Sequence, residues 1–386
     1  MKNKFDFKKI SSIVYLLLFC VYNFSYGQET INGTLTHDNL EREYILYVPA
    51  NYSSESSVPL LFNFHGYTSN ANEQMWYGDF RPIADTAGFL IVHPMGTLDA
   101  TGTTHFNVGW GGSSVDDVGF TEVLLDKIAA EYNIDLKRIY STGMSNGGFM
   151  SYHLACNLSD KIAAIASVTG SMSYLTFDNC NPQHPTPVLQ IHGTEDGTVP
   201  YDGAAFAKPI EEVVDYWVNF NNCNPNSITT TLPDISANDL STVEHFLYEG
   251  GDNNVATEFF KITGGGHTWA GTFFTSAGTN HDINASLEVW SFLSKYDIDG
   301  LRGITNIDAL ERHQIQVDIF PNPSTSVVNI EVQDAQNVDF KLSNSLGKLL
   351  QSGKISSAYR LNMKDLMEGI YFLKLGNRVY KILKVE

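Results

Sequence analysis

The sequence has few cysteines, few basic residues and no long apolar run after its start, and each shortage excludes a class of function. Acidic residues outnumber basic ones by 43 to 24, for a net charge of −19. No cluster of lysine or arginine occurs after the first nine residues, which argues against a nucleic-acid interface. No later segment is apolar enough to predict a stable membrane span. No His-Glu-x-x-His pattern occurs, so we expect neither a hydrolytic metal nor another cofactor.

The first 27 residues have the pattern of a secretory signal peptide. Four lysines within residues 2–9 precede an apolar run from Ile13 to Tyr22. Ser25-Tyr26-Gly27 supplies small residues at the spacing that a signal peptidase reads, which predicts cleavage before Gln28. A membrane anchor is the alternative. The pattern favours export, so we expect a protein that is secreted or attached to the cell surface.

Three of the four cysteines follow the predicted signal peptide, namely Cys156, Cys180 and Cys223. An exported chain can form disulfides. One pair and one free thiol is the simplest outcome. Cys156 lies on the predicted helix Phe149–Leu158 and Cys180 follows the next predicted strand and loop, so we expect these two to pair.

The segment from Tyr140 to Phe149 is typical of a nucleophile elbow. Ser145 lies in a Gly-x-Ser-x-Gly frame between a predicted strand, Arg138–Ser141, and a predicted helix, Phe149–Leu158. In such a turn the serine hydroxyl is exposed above a sheet. Side chains at Gly143 and Gly147 would collide in so tight a bend. An ordinary strand-to-helix turn that contains serine is the alternative.

Strands and helices alternate through residues 28–295, which predicts a mostly parallel sheet with helices on both faces, as in the α/β-hydrolase fold. Asp117 is predicted to cap a helix that runs to about Tyr132. The other predicted strands lie within Ile31–Val48, Val58–Phe64, Phe89–His93, Ile162–Val168, Pro187–Ile191 and Thr257–Ile262. The other predicted helices are Ala204–Phe220 and Ile283–Leu293, and Ala71–Ala87 is predicted as helix with a loop because Pro82 interrupts it.

Two loops provide partners for an elbow serine, which is a weak nucleophile without a base. Asp196 follows the strand that ends near Ile191, and His267 follows three glycines after the last predicted strand. This is the chain order Ser, acid, His of an α/β-hydrolase. We therefore predict Ser145 as nucleophile, His267 as general base and acid, and Asp196 as the carboxylate that orients the imidazole. Glu195 is the competing acid.

The predicted oxyanion hole and substrate pocket lie beside this triad. The backbone N–H of Asn146 is the first expected donor, and the N–H of Tyr67 in the loop after Val58–Phe64 is the second. Trp76, Trp110 and Trp269 are predicted to lie on loops, where they line a substrate pocket or pack beneath the loops.

The motifs resemble those of polyhydroxybutyrate-depolymerase-like esterases, which overlap with the feruloyl and acetylxylan esterases of carbohydrate esterase family 1. The resemblance spans about residues 30–295 and rests on Gly143–Met150, His192–Tyr201 and Gly264–Trp269. It implies a secreted, cofactor-free serine esterase, with esters of plant or algal polysaccharide as the expected substrate. A polyester depolymerase is the alternative. A serine peptidase and a non-catalytic surface adhesin are rival classes.

The residue pattern of the chain changes after a predicted linker at residues 296–317. Residues 318–386 have short alternating strands and turn residues, which predicts a small β-sandwich. This tail resembles the C-terminal sorting domain of the type IX secretion system in its Pro321-Asn322-Pro323, Leu346-Gly347-Lys348 and Gly369-Ile370-Tyr371 segments. The resemblance implies the secretion machinery as a partner. A carbohydrate-binding module is the alternative, but no tryptophan follows Trp290 to form a sugar platform.

Overall fold

The computed structural model describes residues 28–303, 317–332, 338–344, 348–375 and 378–385. The chain divides into two compact units between Arg302 and Gly303. The predicted signal peptide, residues 304–316 of the predicted linker, and the Leu346-Gly347 pair of the tail lie outside the described residues. Tyr296, at the start of the predicted linker, is buried in the first unit. Its carbonyl accepts a hydrogen bond of 2.7 Å from the Tyr140 hydroxyl.

The first unit alternates strands and helices as the sequence predicts. Its strands are β1 (Glu29–His37), β2 (Leu40–Val48), β3 (Val58–Phe64), β4 (Leu90–Pro94), β5 (Thr97–Leu98), β6 (Thr104–His105), β7 (Ile134–Met144), β8 (Ala164–Val168), β9 (Val188–Gly193), β10 (Ile228–Thr231), β11 (Thr242–Tyr248), β12 (Thr257–Thr263), β13 (Tyr296–Asp297) and β14 (Gly300–Leu301). Its helices are α1 (Ala71–Tyr77), α2 (Arg81–Ala87), α3 (Asp117–Glu131), α4 (Asn146–Asn157), α5 (Tyr174–Asn179), α6 (Ile210–Phe220) and α7 (Ala285–Leu293).

Ten of these strands form one sheet in the described residues, in the order β1-β2-β4-β3-β7-β8-β9-β12-β11-β10. Neighbours from β4 to β12 pair in parallel. The strands at both edges pair antiparallel. The predicted α/β-hydrolase fold is therefore confirmed. The sequence reading missed β10, β11 and α5, and it began α6 too early, since Pro209 is the N-cap of that helix.

Both faces of the sheet are buried, which explains the continuous apolar run in β3. Leu60, Phe62 and Phe64 join a core under α3, α4 and α6. Leu61 points the opposite way into a core with α2 and α7. Because side chains alternate across a strand, a strand covered on both sides favours apolar residues on both faces. The exception in β3 is the buried Asn63, which donates to the Gly78 carbonyl at 2.9 Å and accepts from the Gln74 amide at 2.7 Å.

The second unit contains two antiparallel sheets that share one apolar core. Strands β15 (Val317–Phe320), β16 (Val327–Val332) and β19 (Ala358–Asn362) form one sheet, and β17 (Val338–Asn344), β18 (Leu349–Ile355), β20 (Gly369–Leu375) and β21 (Arg378–Lys384) form the other. Ile330, Leu361, Phe340 and Leu373 pack between the sheets. The predicted β-sandwich is confirmed, with β15, β18 and β19 in addition to the predicted strands.

Candidate active site

Ser145 occupies a strained turn between β7 and α4. Its backbone dihedrals are φ 55° and ψ −120°, a region that a residue with a side chain seldom adopts. Such strain costs about 1–3 kcal/mol and persists where the surrounding structure enforces it. Here the Ser145 N–H donates a 2.9 Å hydrogen bond to the Val168 carbonyl at the end of β8. The sheet therefore holds the serine in place at the carboxyl ends of its parallel strands.

The two glycines of the frame have no space for a side chain. A Cβ on Gly143 would lie 2.5 Å from the Phe64 carbonyl oxygen and 2.6 Å from the Gly147 carbonyl carbon. A Cβ on Gly147 would lie 2.1 Å from the Phe64 carbonyl oxygen. The spacing in the sequence thus reflects how closely α4 passes the end of β3.

Asp196 and His267 lie 71 residues apart and are joined by a hydrogen bond. The Nδ1 atom of His267 lies 2.7 Å from Oδ2 of Asp196. The other carboxylate oxygen accepts from the backbone N–H groups of Thr198, at 2.9 Å, and Val199, at 2.8 Å. Glu195, the competing acid, is exposed and makes no such contact in the described residues. The carboxylate is therefore oriented so that the imidazole carries its proton on Nδ1.

The charge of this carboxylate is set by opposing effects. Burial raises the pKa of Asp196. The hydrogen bond and charge of His267 and the nearby His192 lower this pKa by a larger amount, so it lies below its ordinary value. Nε2 of His192 lies 3.4 Å from Asp196 Oδ2 and 2.9 Å from the Val199 carbonyl. Burial lowers the pKa of His192 to about 4. At neutral pH the site therefore contains an ionised Asp196 beside a neutral His192.

Most of the predicted site residues line one cavity of about 680 Å³, among them Ser145, His267, Tyr67, Trp76 and Trp269. Within the described part of the chain, the one hydrogen bond of the His267 ring is to Asp196. Its second nitrogen is therefore free to face Ser145 or a substrate. Nucleophile–base hydrogen bonds often form only when substrate binds.

The loop predicted to supply an oxyanion donor passes close to Ser145. A Cβ on Gly66 would lie 3.4 Å from Ser145 Cβ and 4.0 Å from its Oγ. His65 holds this loop, since its Nδ1 lies 2.7 Å from the Gly66 carbonyl and its Nε2 accepts the Gly96 N–H at 2.9 Å. The N–H of Asn146 is in the first turn of α4, where a helix leaves donors unsatisfied. The oxyanion roles of Tyr67 and Asn146 stay predictions.

The three tryptophans differ from the sequence prediction in two respects. Trp76 lies in α1 rather than in a loop, half exposed, with the Arg81 guanidinium 4.3 Å from its ring centroid. Trp269 lines the cavity but is 2% exposed, and its N–H donates to Ser286 at 3.1 Å. It is therefore mainly a core residue. Trp110 lies on a loop and lines a second cavity of about 420 Å³ that also reaches Ser145.

The loop from His105 to Val108 is held by contacts that the sequence did not reveal. The Asn146 side chain both accepts from the Phe106 N–H at 2.7 Å and donates to the Phe106 carbonyl at 3.0 Å. Asp117 was predicted to cap α3, but Asp116 is the N-cap. Asp117 is instead buried, paired with Arg42, and accepts the Asn107 N–H at 2.7 Å. No local pattern signals these partners, because they are far apart in sequence.

A disulfide joins Cys156 on α4 to Cys180, the C-cap of α5. The Ser173 hydroxyl, at the start of α5, donates to the Val108 carbonyl at 2.6 Å, so the bridge stabilises an element that supports the same loop. Cys223 is a free, buried thiol.

In the described residues, a group of possible metal ligands places its ligand atoms within 4.8 Å of one another at His37, Asp38 and Asp116. These residues line neither cavity beside Ser145.

Comparisons with known proteins show similarity in two regions of the chain. Residues 120–250 match the family described as Phospholipase/Carboxylesterase, and residues 318–385 match the secretion system C-terminal sorting domain. A bifunctional acetylxylan esterase/xylanase of Neocallimastix patriciarum is 29% identical over 274 residues, which are 70% of this chain and 36% of the relative. Feruloyl esterase B of Piromyces equi is 29% identical over 237 residues, 58% of this chain and 42% of the relative. The chain thus spans less than half the length of these two relatives.

Among solved structures, an acetyl xylan esterase from Aspergillus awamori is 15% identical with a TM-score of 0.47, and the match covers 68% of this chain and 99% of that one. The resemblance drawn from the motifs is confirmed by the family and relative matches: a domain similar to feruloyl and acetylxylan esterases precedes a segment that matches the secretion system C-terminal sorting domain. The sorting domain indicates export. Every helix in the described residues is too short or too polar to traverse a bilayer.

Proposed function

We propose that this chain is a serine esterase that hydrolyses feruloyl or acetyl esters of plant or algal polysaccharide. The observation that carries the proposal is the hydrogen bond between Asp196 and His267 in a site whose cavity also contains the strained Ser145. Three residues from loops after β7, β9 and β12 supply a nucleophile, a base and an orienting carboxylate. The names of the similar relatives, feruloyl esterase and acetylxylan esterase, support the choice of ester.

The proposed reaction has two steps. Ser145 Oγ attacks the ester carbonyl carbon while His267 Nε2 takes the hydroxyl proton. The backbone N–H groups of Tyr67 and Asn146 donate to the oxyanion that forms, each contributing roughly 10²–10³ in rate. His267 then gives its proton to the leaving alcohol oxygen, and an acyl-enzyme remains. Water attacks this ester in the same way and releases the acid.

The test is replacement of the nucleophile. Ser145→Ala is expected to lower hydrolysis of 4-nitrophenyl acetate by about 10⁶-fold with an unchanged thermal transition. Ser56→Ala, an exposed serine that lines neither cavity, is the matched control. Turnover in Ser145→Ala equal to that of the control would contradict the proposal. Parallel assays on methyl ferulate, acetylated xylan and polyhydroxybutyrate separate polysaccharide esters from a polyester.

The second unit is proposed to engage the type IX secretion machinery. Support comes from the match of residues 318–385 to the sorting domain and from the separate core of this unit. Deletion of residues 318–386 is expected to leave esterase activity in cell extracts and abolish its release from the cell. Normal export of the shortened chain would refute this role.

A further inference from the structure

Two cavities meet at the nucleophile. One has a volume of about 680 Å³ and the other of about 420 Å³. Ser145, Tyr67 and Thr198 line both of them. A substrate bound at Ser145 can therefore extend in two directions, and the proposed chemistry determines which part of the ester takes which direction.

The position of His267 indicates which part of the ester lies in which cavity. In the tetrahedral intermediate the carbon bonded to Ser145 Oγ also carries the oxyanion, the leaving oxygen and the acyl chain. The leaving oxygen must be within reach of the histidine, which gives it a proton. His267 lines the larger cavity and not the smaller one. The alcohol part of the ester therefore belongs in the larger cavity, and the acyl part belongs in the smaller one.

The smaller cavity, which we call the acyl cavity, has an aromatic wall of Phe106, Trp110, Phe206 and Tyr67. The ring centroids of Trp110 and Phe206 are 5.7 Å apart at 81°, and those of Tyr67 and Trp110 are 6.4 Å apart at 66°. Edge-to-face arrangements of this kind favour a further ring against them. An acetyl group would contact only the mouth of such a cavity.

The backbone behind this wall is held in place. The Phe106 N–H donates to the Asn146 side chain, which also donates to the Phe106 carbonyl. The Asn107 N–H donates to Asp117, and the Ser173 hydroxyl donates to the Val108 carbonyl. These four hydrogen bonds fix the backbone of residues 106–108, so this part of the wall keeps its position when a small acyl group is bound. The Phe106 ring is therefore presented without the entropy loss of ordering its backbone.

The larger cavity has a different lining. Ser69, Thr68 and Glu73 contribute hydroxyl and carboxylate groups, and Trp76 and Phe274 are both about half exposed. Polar groups beside exposed rings suit a sugar, which stacks its apolar face on a ring and directs its hydroxyls to polar partners.

We propose that the acyl cavity selects an aromatic acyl group over acetyl, with Trp110 and Phe206 as specificity-determining residues, while the sugar alcohol occupies the larger cavity. This inference rests on the proposed function, since it uses the role of His267 as the acid that protonates the leaving oxygen.

The experiment compares 4-nitrophenyl ferulate with 4-nitrophenyl acetate, which share a leaving group and differ in the acyl part. The measured quantity is the ratio of their kcat/KM values. Wild type is expected to favour ferulate. Trp110→Ala is expected to lower the ratio by about tenfold, because a ring contact and its buried area are lost. The Trp110 N–H has no hydrogen-bond partner in the described residues, so the substitution removes no polar contact.

Trp76→Ala is the matched control on the other cavity. Trp76→Ala is expected to keep the ratio of kcat/KM for 4-nitrophenyl ferulate over 4-nitrophenyl acetate within about twofold of the wild-type ratio. It should instead lower the preference for a feruloylated sugar over methyl ferulate. Phe206→Ala, at a 39% exposed side chain, is the second variant if Trp110→Ala does not fold, and it should shift the ratio in the same direction. An unchanged ratio in both acyl-cavity variants, or an equal fall in Trp76→Ala, would overturn the inference. Wild-type protein that cleaves neither ester would instead refute the proposed function.

Discussion

Replacement of Asp196 by asparagine tests the geometry of the site most directly. One carboxylate oxygen of Asp196 accepts two backbone N–H groups, at 2.9 and 2.8 Å, so the amide oxygen of an asparagine must take that position. The amide NH₂ then faces Nδ1 of His267, where Oδ2 now accepts at 2.7 Å. Because two donors cannot face each other, the imidazole must carry its proton on Nε2, and it can no longer take one from Ser145.

The expected loss in kcat is about 10⁴-fold, as for the corresponding substitution in a Ser-His-Asp triad, which equals about 5.4 kcal/mol of activation free energy. The assay is kcat and KM on 4-nitrophenyl acetate, with a thermal transition to show that the fold persists. Glu195→Gln, a change of the same kind at the exposed neighbour, should retain full activity. A loss below about tenfold in Asp196→Asn would refute the assignment of Asp196 as the orienting carboxylate.

Two further predictions concern stability. The Cys156–Cys180 bridge closes a sequence separation of 24, so replacement of both cysteines by serine should lower the free energy of unfolding by about 3.4 kcal/mol; calorimetry should show a lower Tm, and an unchanged Tm would contradict this. Burial lowers the pKa to about 4 in three histidines, His65, His153 and His192, and to about 3 in His93. Between about pH 6.5 and 4 the unfolded chain binds protons at these sites that the folded chain does not, so stability should fall as the pH falls, by on the order of 2 kcal/mol per histidine at pH 5. Equal Tm values at pH 7 and pH 5 would disprove this pH dependence. His192→Gln should reduce the fall in Tm between pH 7 and pH 5.

The fold was predictable where the residues of a single strand were enough to identify that strand. The apolar run of β3 matches Val58–Phe64 at both ends, because a strand buried on two faces is mostly apolar. The edge strand β10 and its neighbour β11 have no such signal. All four residues of β10, Ile228–Thr231, are exposed, so its sequence resembles a polar loop and its pairing depends on β11.

The positions of the three proposed catalytic residues were predictable because parallel strands bring their carboxyl ends to one edge of the sheet. Ser145, Asp196 and His267 each follow such an end, so their proximity follows from topology and chain order alone. The surroundings of the site were not predictable in this way. The role of Asp117 depends on Arg42, 75 residues earlier in the chain. The burial of Trp269 depends on Phe80, whose ring centroid lies 6.0 Å away.

The site residues and the residues around them differ in predictability because they are held in place by different parts of the chain. The proposed reacting groups Ser145, Asp196 and His267 lie in short motifs, and each motif needs only its own strand end. The acyl cavity is instead built from the segment between β6 and α3, from Phe206 and from Tyr67, and it is held by partners on α3, α4 and α5. A substitution in this wall can therefore change the acyl group that fits while Ser145, His267 and Asp196 keep their positions. The proposed arrangement of nucleophile, base and acid is then compatible with different esters, and on this proposal the choice between acetyl and an aromatic acyl group depends on contacts that no local motif encodes.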